Sequence, residues 1–167
     1  VQHGPILRVV FGPRDPSYIS PILSAIQSDL CESGIDGVLS THIQRDALEK
    51  FSYVSPIGAA GVYLHAVAGD FQKEGPAREL FKSMIREISA LAAAMGYPFE
   101  KDYVKINLEI LSNLSADATT SMQRDIMEGK PSELDGLVME PLRLAKKYSV
   151  SMPCYEEVAK VLCPLEF

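Results

Sequence analysis

The 167 residues carry 16 Lys and Arg against 22 Asp and Glu, a formal net charge of −6 at pH 7, with 47% hydrophobic and 23% charged residues. That balance belongs to a globular chain long enough to bury a core without staples, and it excludes a disordered one. Phosphate neutralisation needs clustered Lys and Arg, whereas the basic clusters here are pairs such as Lys146-Lys147, so a non-specific nucleic-acid binder is excluded as well.

The first forty residues read as β-α-β. Ile6 to Phe11 is a β-branched run bounded by Gly4-Pro5 and Gly12-Pro13, the pattern of a strand between turns. Tyr18 to Cys31 carries Ile19, Ile22, Leu23, Ile26 and Leu30 at helical spacing and stops at Ser33-Gly34. Ile35 to Ser40 reads as a second strand. Two parallel strands do not make a stable sheet alone, so the chain is expected to begin inside, or at the end of, a larger α/β domain.

From Thr41 onward the pattern is helical. Thr41 is placed to cap a helix running through Asp46, Leu48 and Phe51, with a bend expected at Ser55-Pro56. The small residues of Gly58 to Gly69 predict a buried, closely packed helical stretch. Pro76 to Gly96 is the clearest helix, with Ala77, Leu80, Phe81, Met84, Ile85, Ile88, Leu91, Ala92 and Met95 on one face. Asp102 to Leu114 follows, with Tyr103, Ile106, Ile110 and Leu111 on its stripe, and then Asp117 to Glu128. Ser132 is placed to cap the next helix, Glu133 to Tyr148, with Glu133 and Asp135 in its first turn and a kink at Pro141. Tyr155 to Leu162 is the last.

Nucleotide-binding glycine loops and the H-E-x-x-H zincin pattern are absent from the sequence. His3, His42 and His65 are scattered and receive no role. Cys31, Cys154 and Cys163 are odd in number and lack C-x-x-C spacing, so no metal site is expected and the thiols read as reduced, as in a cytoplasmic protein. No apolar run approaches membrane-spanning length, and the start lacks a secretory signal pattern. Two features remain. Lys50 stands among Leu48, Phe51 and Val54, where partial desolvation would make its ammonium a proton donor near neutral pH; the plainer reading is a solvated lysine. Ser121 to Asp135 joins two amphipathic helices, and one first-turn acid there would suffice to stabilise a helix dipole by ~0.3–1 kcal/mol.

The run Thr119 to Leu162 resembles the C-terminal domain of the ketopantoate reductase (2-dehydropantoate 2-reductase) family. Ser121-Met122, Asp125-Ile126, Gly129, Glu133-x-Asp135, Gly136, Tyr148 to Val150 and Pro153 follow that family's pattern in order. Upstream, Leu48 to Phe51 is similar to its tryptophan-x-lysine-leucine motif, with Leu48 in place of tryptophan. The resemblance implies a mainly α fold, a helical domain like the C-terminal one of 6-phosphogluconate dehydrogenase, preceded by a short β-α-β remnant of a Rossmann domain. Residues 1–40 would be that remnant and 41–167 the substrate-binding domain.

It further implies hydride transfer from NADPH to the ketone of a 2-oxo acid, with the cofactor held by the Rossmann half that this sequence lacks. Lys50 would be the general acid, Glu133 would bind the substrate hydroxyl and tune the lysine, Ser121 would hydrogen-bond the substrate, and Asp135 would be structural. The family's asparagines four and eight residues after the lysine are replaced by Val54 and Gly58. That departure points to another 2-oxo acid or to reduced activity. The rival reading is a non-catalytic dimerisation or binding module, its exposed apolar surface pairing two copies.

Overall fold

The computed structural model describes residues 7–15, 17–18 and 20–164. Gly4-Pro5, His3, Ile6 and Ile19 of the sequence reading lie outside them. The chain divides into two units, Val1–Ala47 and Leu48–Phe167.

In the first unit, strands β1 (Arg8–Phe11) and β2 (Asp36–Leu39) pair in parallel, Arg8 opposite Asp36 and Phe11 opposite Leu39. Helix α1 (Pro21–Glu32) connects them, its start capped by the Ser20 side chain on the Ile22 N–H. It ends where Gly34 takes φ 79°, the left-handed turn that lets the Ile35 and Gly34 N–H groups reach the carbonyls of Leu30 and Cys31. The unit is β-α-β as expected. No residue of α1 is buried, and Val9 and Val10, which point to opposite faces of the strand, are 41% and 40% exposed. Parallel strands normally bury both faces; here Gly37 of β2 is buried against Leu30 of α1, while both faces of β1 stay exposed.

The second unit is all helix. Helix α2 (Ile43–Leu64) straddles the division and buries Ser52 and the run Ser55 to Gly61. Its first backbone bond runs from the Asp46 N–H to the His42 carbonyl, so Thr41 precedes the helix rather than capping it. Pro56 does not end the helix. His65, at φ 50°, does, and the expected helical stretch to Gly69 is split there. A short α3 (Ala68–Gln72) follows, its first N–H groups bonded to the carbonyls of Ala118 and Ala116.

Helix α4 (Pro76–Ala94) buries Phe81, Met84, Ile85, Ile88, Leu91 and Ala92, as its periodicity predicts. Each such side chain contributes ~1.5–3 kcal/mol on leaving water. It packs against α3, α5 (Tyr103–Ser112), α7 (Glu140–Tyr148) and α8 (Pro153–Leu162). Phe81 stacks edge-on with Phe71 and Tyr53. Glu87 of α4 receives the N–H groups of Cys154 and Tyr155, capping α8 from a neighbouring helix. The Cys154 thiol beside it is pushed up to about 11, first by burial and then by Glu87. In α5, Asn107 and Leu111 are the buried residues and Ile110 is 44% exposed, so the stripe turns away from Ile110.

Two prolines with helix on either side, Pro56 and Pro141, each strand a carbonyl. Pro56 has no N–H to offer the carbonyl of Ser52, and Pro141 none for that of Leu137. The Asn107 Nδ2 group donates to the Ser52 oxygen at 3.0 Å, and the Ser55 hydroxyl donates to the Leu137 oxygen at 2.6 Å. The second break also widens the helix: Asp135–Met139 forms a π-helical turn, with the Glu140 N–H on the Asp135 carbonyl. Pro141 does not interrupt the helix, which widens into this turn just before it.

Removing one of these donors leaves a buried carbonyl bare. Asn107→Ala is expected to lower the unfolding free energy by about 1–3 kcal/mol, read from the urea midpoint at unchanged slope.

Candidate functional site

Helix α2 presents Lys50, Val54, Gly58 and Gly61 along one stripe, since residues three and four apart share a helix face. The stripe's far end is packed. A Cβ on Gly58 would stand 3.1 Å from the Met122 Cε and 3.8 Å from the Leu137 Cδ1. At Gly61 it would stand 2.8 Å from the Gln123 side-chain amide. Only glycines let α6 (Ser121–Met127) approach so closely.

Helix α6 starts at Ser121, not at Asp117, because Thr120 caps it. The Thr120 hydroxyl accepts the Gln123 N–H, and the Gln123 Oε1 accepts the Thr120 N–H in return. The Gln123 Nε2 donates to the Ala66 carbonyl at 2.8 Å, tying α6 to the end of α2. Met122 is buried and Ser121 is exposed at the first turn.

Glu133 precedes the next helix rather than lying in its first turn. The helix begins at Leu134, with the Leu137 N–H on the Glu133 carbonyl at 2.8 Å. No side-chain cap from Ser132 is found among the described residues. The two acids then separate in role. Asp135 receives the Arg143 guanidinium on both oxygens, at 2.6 and 2.7 Å. Glu140 and Asp135, in that order, push the Arg143 pKa further up. Glu133 is exposed, and its carboxylate has no hydrogen bond or ion pair among the described residues.

Lys50 is likewise exposed and without such a partner, so the desolvation expected from Leu48, Phe51 and Val54 is not found. The structure thus delivers the elements bearing Ser121 and Glu133 onto α2 at Gly58, eight residues and about 12 Å of helix rise from Lys50. No hydrogen bond joins the three side chains themselves.

Two cavities open beside α6. One of 180 Å³ is lined by Tyr53, Ile57, Phe71, Thr119 and Gln123 among others, and the buried Tyr53 hydroxyl has no partner. The other, of 480 Å³, is apolar and lies between Gly61, Val62, His65, Ile126 and Met127. Neither is lined by Lys50, Ser121 or Glu133.

A dinucleotide needs a glycine-rich turn and free N–H groups at a helix start. At α1 the first residue is a proline, and the Ile22 and Leu23 N–H groups are bonded to the side chain and carbonyl of Ser20. These residues do not fit a dinucleotide. Among the described residues no cluster of three His, Cys, Asp or Glu could hold a metal, and no helix is long and apolar enough to cross a membrane.

Sequence reasoning missed Ser55, Tyr155 and Gln123. The prolines announce two stranded carbonyls, but nothing in the sequence says which distant side chain meets each.

Residues 42–166 match the family described as "Ketopantoate reductase PanE/ApbA C terminal". A 2-dehydropantoate 2-reductase of Aquifex aeolicus (strain VF5) is 26% identical over 158 residues, 92% of this chain and 51% of its own. The crystal structure of 2-dehydropantoate 2-reductase from Methylococcus capsulatus is 24% identical with a TM-score of 0.85, over 98% of this chain and 52% of that one. A ternary structure of D-mandelate dehydrogenase with NADH and anilino(oxo)acetate is 18% identical with a TM-score of 0.76, over 92% and 64%. The chain spans about half the length of the curated relatives it matches. At these identities the solved structures speak for the fold.

Gln123 cannot retreat from residue 61 without breaking its bonds to Ala66 and Thr120. Gly61→Ala should therefore cost about 1–3 kcal/mol of stability, measured by thermal or urea unfolding.

Proposed function

The chain belongs to the ketopantoate reductase family through its PanE/ApbA C-terminal domain, and on that premise we propose that it is the substrate side of a reductase converting a 2-oxo acid to the 2-hydroxy acid. In this reading residues 1–40 close a Rossmann domain, residues 41–167 bind substrate, and the complete protein works in the cytoplasm as a homodimer. What supports it is the family match over residues 42–166, together with the packing of Met122 and Leu137, neighbours of Ser121 and Glu133 in the chain, on the helix that bears Lys50. The neighbouring acid, Asp135, is already neutralised by Arg143.

Reduction of a ketone places negative charge on its oxygen, so the site must supply a cation and a proton there. The Lys50 ammonium does both: it faces the oxygen and hands it a proton, leaving an amine that solvent reprotonates. The Glu133 carboxylate accepts a hydrogen bond from the substrate hydroxyl and balances the lysine charge. The Ser121 hydroxyl bonds the substrate. The hydride donor is NADPH in the complete protein, held by chain other than these residues. Ketopantoate is the proposed substrate, the product being pantoate on the route to pantothenate. Val54 and Gly58 offer it no amide, and this favours a different 2-oxo acid as the alternative.

A non-catalytic dimerisation module is the second reading. It draws on the apolar groove beside α6, whose rim includes Met127 at 83% exposure.

In the complete protein, Lys50→Ala and Glu133→Ala should each lower kcat by about a hundred- to ten-thousand-fold while circular dichroism and Tm stay close to the parent. Normal rates in both would leave the module reading standing. The 167-residue chain alone should neither bind NADPH nor oxidise it in the presence of ketopantoate, which absorbance at the nicotinamide band checks directly.

A further inference from the structure

We propose that Ser55 is a positioning residue for the site, setting Glu133 against the helix that carries Lys50; this rests on the roles given above to those two residues. Ser55 lies five residues beyond Lys50, about 7–8 Å along α2, and is fully buried. Its hydroxyl has one proton, donated to the Leu137 carbonyl at 2.6 Å. Its oxygen therefore accepts the short bond from the Tyr155 hydroxyl. Tyr155 is buried completely on α8, and the Glu87 carboxylate holds its backbone N–H.

Leu137 is the hinge of the arrangement. Its N–H binds the Glu133 carbonyl at 2.8 Å, and its own carbonyl is the one that Pro141 leaves unpaired. One residue thus ties Glu133, through its N–H, to α2, through its carbonyl. The π-helical turn Asp135–Met139 adds a residue to the helix beside this point. Its register sets the direction in which the chain leaves toward Leu134 and Glu133. Without Ser55 the turn would keep only the packing of the Leu137 side chain on Gly58 and lose its buried hydrogen bond to α2, freeing the backbone that carries Glu133 to shift. Misplacement of about 1 Å in a reacting group lowers rate by about a hundredfold.

The test is a mutant cycle in the complete protein, with hydrogen exchange on the 167-residue chain beside it. Ser55→Ala should lower kcat at least about tenfold and leave NADPH affinity unchanged. In a Glu133→Gln background the same substitution should change the rate less than about twofold, because its effect acts through Glu133. Equal losses in both backgrounds, or a Ser55→Ala rate equal to the parent's, would overturn the proposal.

Pro141→Ala serves as a second variant. It gives Leu137 a backbone donor that competes with Ser55 for the carbonyl while keeping that carbonyl paired, so a kcat loss with parental Tm supports the same conclusion and parental kcat counts against it. In the exchange arm, the amides of residues 137–140 should exchange at least about tenfold faster in Ser55→Ala, with those of α4 unchanged. Unchanged exchange in residues 137–140 overturns the proposal even if no 2-oxo acid is reduced. In that last case the parent reading fails separately, through inactivity of the unsubstituted protein.

Discussion

A proline inside a helix leaves the carbonyl four residues before it without its donor, and twice in this chain that carbonyl is buried. A bare buried carbonyl costs about 1–3 kcal/mol, so each must be met by a side chain from elsewhere. Asn107 meets Ser52 and Ser55 meets Leu137. These two bonds stitch α2 to α5 and to the π-helical turn, while α4 packs against α3, α5, α7 and α8. The small residues of α2 serve the same end, letting Gln123 lie against Gly61 and Met122 against Gly58.

The candidate site sits on the edge of this stitched core. Ser121 emerges one residue after a reciprocal cap, Glu133 four residues before a hydrogen-bonded carbonyl, and Lys50 two turns from the packed glycines. Each of the three side chains is exposed, while the backbone that bears it is anchored within a few residues. Rigid supports with unpartnered tips suit a group that must meet a substrate. Asp135 shows the contrast: it lies two residues from Glu133, yet the Arg143 Nη2 group occupies both its oxygens.

Much of this was legible beforehand. The β-α-β start, the apolar face of α4 and the family motif all rest on local spacing or on the identity of single residues. The misplaced boundaries are also instructive. Sequence pattern points to Thr41 and Asp117 at the helix starts, but the first backbone bond makes it His42 and a returning Gln123 side chain makes it Thr120. Ile110 kept the helical spacing yet faces solvent, since Asn107 was needed inside.

The sequence by itself determined the helical character and the family, and it singled out Lys50, Ser121 and Glu133 as candidates, because propensity, periodicity and motif are properties of neighbours along the chain. Only the tertiary structure decided which acid stays free, that Lys50 is exposed, and which hydroxyl answers the carbonyl stranded by Pro141. Those outcomes depend on partners 8 to 100 residues apart, and a hydrogen bond between such residues exists only once packing has brought them within 3 Å.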